Sequence, residues 1–195
     1  VRALFEPARG RLGWDAADGE DDVTSSLRCV VLAKLAHAGD EAVRDEALRR
    51  FRSAAEGRAV LAKDQRALVY AVAARYGSEA DAQALLGVYR GAQTQEQRVE
   101  ALAAIGATDS AARARELLAW AADSGDVRAQ DLYLVLRSVA AHNQQVVWDF
   151  LQERWDWVNK TFAADSFMYS TIGLFFTTNK HHKHAFFWHF LEGGQ

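Results

Sequence analysis

The sequence predicts an all-α fold, an α-α superhelix of HEAT- or armadillo-like antiparallel helix pairs. Three observations predict it. The chain has one proline in 195 residues, and proline breaks helix interiors while sheet proteins and long loops usually carry several. Ala, Leu, Arg, Glu and Gln fill the middle of the chain, the residues that lose least freedom on becoming helical. Apolar residues then recur at three- and four-residue steps between turns marked by Gly and Asp. Short turns between helices of this length make neighbours antiparallel. No strict repeat motif is visible, so any repeat is structural.

Residues 1–20 hold Pro7, Gly10, Gly13 and Gly19 and read as a lead-in loop, with the helical-repeat domain over 21–195. The first helix, over 22–38, carries Val23, Leu27, Val30, Val31, Leu35 and Ala38, and Gly39 ends it. Asp40 caps the next, over 40–56, with Val43, Ala47, Leu48 and Phe51 on one stripe before Gly57. Asp64 caps a helix through Leu68, Val69, Val72 and Ala73 to Gly77, and Ser78 caps one through Leu85, Leu86 and Tyr89 to Gly91. Thr94-Gln95-Glu96-Gln97 is a capping box leading into Leu102 and Ile105. Asp109 opens the helix through Leu117 and Leu118 to Gly125. Helices over 127–141 and 143–161 follow, the latter with Trp148, Leu151 and Trp155 on one buried stripe. After 162, Phe167, Met168, Tyr169, Ile172, Leu174, Phe175 and Phe176 are apolar almost without interruption and read as a buried helix.

Net charge is −3 and basic residues are interspersed with acidic ones, so a nucleic-acid partner has no electrostatic footprint. One cysteine excludes an internal disulfide. No stretch has the length and apolarity of a membrane span or the form of a signal peptide, and a cytoplasmic location is expected. The first residue is Val1 and the last are Gly193-Gly194-Gln195, ends that read as cuts in a longer chain.

Catalytic signals are sparse. There is no H-E-x-x-H, no Gly-rich phosphate loop and no G-x-S-x-G. His181, His182, His184 and His189 cluster within nine residues, but helical ligand pairs stand at i, i+4 and these stand three and five apart beside Lys183. They read as a solvated helix start, and no metal site is expected. Cys29 lies on an apolar helix face and reads as a structural thiol. The aromatic-rich carboxyl third, with Trp148, Trp155, Trp157 and Trp188, reads as core.

Several segments in order resemble one family. Leu12-Gly13-Trp14-Asp15 with the following acidic stretch, and Leu27-Arg28-Cys29-Val30-Val31-Leu32, resemble the start of the helical C-terminal domain of puromycin-sensitive-type zinc aminopeptidases. Asp64-Gln65-Arg66-Ala67-Leu68-Val69-Tyr70, Gln95-Glu96-Gln97-Arg98, Ile105-Gly106-Ala107-Thr108 and Val127-Arg128-Ala129-Gln130-Asp131 resemble its successive helix starts. Trp148-Asp149-Phe150-Leu151 through Trp155 looks like its W-x-F-L-x-x-x-W helix. The resemblance covers residues 11–192, and the family's further helices are expected beyond the end of this chain. It implies a lid without catalytic residues that covers the active-site chamber, binds peptide substrate and helps close the chamber. It also implies zinc in an upstream catalytic domain of the same polypeptide and none in this chain. A free-standing HEAT-like adaptor that binds a partner protein is the alternative, and finding an H-E-x-x-H segment upstream in the same reading frame would decide for the peptidase. On the lid reading Arg66, Gln97, Arg98 and Gln130, polar residues at the starts of consecutive helices, are the candidate peptide contacts.

Overall fold

The computed structural model describes residues 2–162. Among them every regular element is helical, in agreement with the all-α reading. The chain divides into two compact units, Val1–Thr108 and Asp109–Gln195. The boundary of compactness thus falls well inside the span read as one helical array.

The first unit contains α1 (Arg2–Leu12), α2 (Asp22–His37), α3 (Glu41–Ala55), α4 (Arg66–Tyr76), α5 (Glu79–Gly91) and α6 (Gln95–Ile105). Consecutive helices pack on one another, and α4 also packs on α2 and α6. Consequently α4 buries six of its eleven residues, including Val69 and Ala73. Caps fall largely where side-chain chemistry puts them. The Asp40 carboxylate accepts the Val43 N–H at 3.0 Å, and Ser78 with Asp81 forms a complete capping box. Thr94 accepts the Gln97 N–H, but the returning arm goes one residue further back, from Gln93 N–H to Gln97 Oε1 at 3.2 Å. Gly39 closes α2 with φ of 82°, a left-handed conformation that costs glycine little.

Five expectations are corrected. Residues 2–12 form helix α1 with Pro7 inside it, where a loop was expected. The proline is tolerated because α1 buries none of its residues and is held by polar anchors, with Arg2 donating to the carbonyls of Ala38 and Gly39. Asp64 caps no helix. It lies in the 3-10 turn Lys63–Gln65 that leads into α4, and its carboxylate accepts from Ser25. In α2 the core face is Val31, Leu32, Leu35 and Ala36, while Val23, Leu27 and Val30 stay exposed, because Arg28 turns inward and rotates the buried stripe. The other two corrections lie in the second unit.

That unit contains α7 (Ala111–Asp123), the 3-10 turn Ala129–Asp131, α8 (Leu132–Ala140), α9 (Gln144–Glu153) and α10 (Trp155–Phe162). Ser110, not Asp109, caps α7. The helix expected over 143–161 breaks at Arg154, whose φ of −118° and ψ of 26° leave helical space. The guanidinium of Arg154 forks onto Asp123 at 2.5 and 2.8 Å, tying the end of α9 to the end of α7. Trp155 therefore begins a new helix and is half-buried, whereas Trp148 and Leu151 are buried. The reading of a helix after 162 lies outside the described residues.

Candidate functional site

A cavity of about 310 Å³ opens in the first unit, lined from α3, α4, α5, α6 and the connection after α3. Phe51, Ala54, Ala55, Leu61 and Val88 give it apolar walls, and Arg66 and Gln97 are the polar groups that line it. The local sequence places both. The 3-10 turn Lys63–Gln65 redirects the chain so that Arg66 is the first residue of α4, and the Thr94 cap fixes Gln97 in the first turn of α6. One turn beyond Arg66, the Tyr70 ring meets Phe51 edge-on at 6.2 Å. Tyr70 also lines the cavity, and burial pushes its hydroxyl above its ordinary pKa. Val60 is 93% exposed and lines the cavity from the loop side.

Polar groups here are partly engaged. Arg66 Nη1 donates to Glu100 Oε2 at 3.2 Å, and outside it Lys63 pairs with Glu96 at 2.8 Å. A guanidinium has five N–H donors, so one bond to Glu100 leaves Arg66 with capacity to recruit carbonyl oxygens. Such a cavity can take an apolar group with hydrogen-bond acceptors beside it.

The four expected contact residues separate. Arg66 and Gln97 converge on this cavity. Arg98, next to Gln97, donates to the Ala92 carbonyl at 3.4 Å and so serves the connection between α5 and α6. Gln130 is exposed in the 3-10 turn Ala129–Asp131 of the second unit. Sequence periodicity gave no sign that residues so far apart in the chain as Phe51, Val88 and Gln97 meet at one cavity.

Sequence reading also missed the buried polar framework beside it. Arg28 is 1% exposed. It donates Nε to the Leu12 carbonyl at 3.0 Å and both terminal nitrogens to Glu20. Buried Gln65 donates to the Trp14 carbonyl at 2.5 Å and accepts from Arg50 at 3.2 Å. Arg50 in turn forks onto Asp15 and lies 4.9 Å over the Trp14 ring. The Leu12 to Glu20 connection is thereby fastened to α2, α3 and the turn before α4. Its hydrogen bonds from Arg50 and Arg28 hold Asp15 and Glu20 below the usual carboxylate range. Further along, Arg52 forks onto buried Asp81 with both bonds at 2.8 Å and holds that carboxylate well below its ordinary pKa.

No catalytic constellation emerges among the described residues. No group of three or more His, Cys, Asp or Glu side chains there is disposed to hold a metal ion, and the cluster from His181 to His189 lies outside them. The Cys29 thiol donates to the Asp64 carbonyl at 3.2 Å, and burial, with the Asp64 charge next, pushes its pKa up to about 11. It is a poor nucleophile. None of the described helices is long and apolar enough to cross a membrane.

Comparison with known proteins bears on the whole chain. A family model described as an ERAP1-like C-terminal domain matches residues 1–186. Aminopeptidase M1-A of Oryza sativa subsp. japonica is 32% identical over 171 residues, covering 85% of this chain and 19% of the relative. Aminopeptidase M1 of Arabidopsis thaliana is 29% identical, covering 83% of this chain and 19% of the relative. Puromycin-sensitive aminopeptidase of Caenorhabditis elegans is 30% identical over 78% of this chain and 16% of its own length. The chain thus spans roughly a fifth of the length of these curated relatives.

Proposed function

We propose that this chain, which belongs to the ERAP1-like C-terminal domain family, is the non-catalytic C-terminal domain of a zinc-dependent aminopeptidase. In this reading it covers the active-site chamber, contributes to binding of the peptide substrate and takes part in closing the chamber. The catalytic domain is upstream in the same polypeptide and supplies the zinc, its ligands and the general base for hydrolysis of the N-terminal peptide bond. The protein works in the cytoplasm.

The observation that carries the reading from family to role is the cavity lined by Arg66 and Gln97. Its apolar walls take a substrate side chain, and the Arg66 guanidinium and Gln97 carboxamide hold backbone carbonyls of the peptide. These contacts lie in ground-state binding away from the scissile bond, so they govern affinity and length preference more than the chemical step. Arg98, beside Gln97 but bonded to the Ala92 carbonyl, and Gln130, exposed in the second unit, are further peptide contacts in this reading, away from the cavity.

In the complete enzyme, replacing Arg66, Gln97, Arg98 and Gln130 together with alanine is expected to raise KM for long peptides by about tenfold. Turnover of a single aminoacyl amide, too short to reach this domain, stays unchanged. Unaltered KM and length preference across the peptide series would refute the contact role.

A further inference from the structure

The outer face of α2 is apolar and uncovered. Val23, Leu27 and Val30 stand at i, i+4 and i+7 on one side of the helix and are 78%, 51% and 52% exposed. The opposite side, Val31, Leu32, Leu35 and Ala36, is core. A surface helix ordinarily shows one apolar stripe and one polar face, and a helix apolar on two sides has the pattern of one lying between two layers. Only the inner layer is supplied by the residues described here. The stripe is bounded by Asp21 and Asp22 at the amino end of α2 and by Lys34 towards its carboxyl end.

We infer that the Val23–Leu27–Val30 face of α2 is the surface on which the upstream part of the same polypeptide docks. The inference rests on the reading of this chain as the C-terminal domain of a longer enzyme. Two observations select that occupant. The family is one of C-terminal domains, and the chain matches only 19% of its rice relative, so most of such a polypeptide is available as a neighbour, and α2 belongs to the part of the domain nearest to it in sequence. The size of the stripe is the second. Three side chains expose at most a few hundred Å², whereas a stable complex between separate molecules buries about 800 Å² on each partner. A segment tethered in the same chain meets its site at a local concentration in the millimolar range, and for it a patch this small is sufficient. The matching surface is an apolar ridge with an acidic group placed opposite Lys34.

Cysteine accessibility in the complete polypeptide tests this. Val23→Cys, Leu27→Cys and Val30→Cys are made singly in a Cys29→Ser background, and the rate of maleimide labelling is compared with that of the same protein unfolded in urea. Docking predicts labelling on the order of 100-fold slower in the native protein at all three positions, independent of protein concentration. Native rates within a few-fold of the unfolded ones overturn the inference. So does protection lost on dilution together with a dimer-to-monomer shift in sedimentation, which assigns the stripe to a second copy. Aminopeptidase turnover measured on the same samples separates the two readings. An active enzyme with rapid labelling overturns the docking surface alone, and an inactive protein with protected cysteines leaves docking standing and removes the assigned function.

Discussion

Arg28 and Glu20 meet fork to fork, the two terminal nitrogens of the guanidinium each donating to one carboxylate oxygen. With Nε on the Leu12 carbonyl, the buried arginine secures both ends of the connection between α1 and α2. That connection carries Trp14 and Asp15, which Gln65 and Arg50 fasten from the other side.

Replacing Arg28 with alanine removes all three bonds and leaves the Leu12 carbonyl without its donor. Breaking one side of a buried pair is costly, so the thermal midpoint is expected to fall by roughly 5–10 °C. Arg28→Lys recovers only part of the loss, because an ammonium cannot reproduce the fork. Calorimetry of the two variants checks this, and equal midpoints for Arg28→Ala and the parent would show that the fork is not needed.

Asp81 gives the protein an acid-sensitive element. Two bonds from Arg52 hold its pKa below the unfolded value of 3.8, so the native state takes up this proton later than the unfolded one as pH falls. Its contribution is therefore complete at neutral pH and declines once pH drops below about 4. Asp81→Asn abolishes the contribution. The stability gap between parent and variant, measured by urea unfolding, is expected to be widest near pH 7 and to narrow progressively below pH 4.

Cys29 is expected to react slowly. A thiol with its pKa raised from 9.0 to about 11 carries about 100-fold less thiolate at pH 8 than an unshifted one. Iodoacetamide labelling of the native protein at pH 8 should lag the urea-unfolded chain by about that factor, and equal rates would show the thiol to be unperturbed.

How far the sequence could be read depended on whether local or distant groups decide a position. Asp40, Ser78 and Thr94 cap helices with bonds to N–H groups three residues away, and spacing reveals such partners. Pro7 and Arg154 could not be read in this way. Helix α1 survives its proline with Arg2 bonded to carbonyls 36 and 37 residues away, and the helix ending at Glu153 stops where Arg154 is committed to Asp123, 31 residues earlier. Arg28 was hidden for the same reason, since an arginine in an apolar run looks solvated until Glu20 and the Leu12 carbonyl are seen beside it. At the candidate site, local spacing marked Arg66 and Gln97 as helix-start residues. The cavity joining them depends on Phe51, Val88 and the loop after α3, which no periodicity brings together.

The role of this chain is tested most directly by the rate of N-terminal residue release from a peptide, measured at equal molarity for this chain alone and for the complete polypeptide. The account predicts hydrolysis by the complete polypeptide, dependent on bound zinc, and none by the chain alone. Zinc-dependent hydrolysis by the isolated chain, lost on replacing His181, His182 and His184, would contradict it, as would a complete polypeptide that binds zinc and releases no residue.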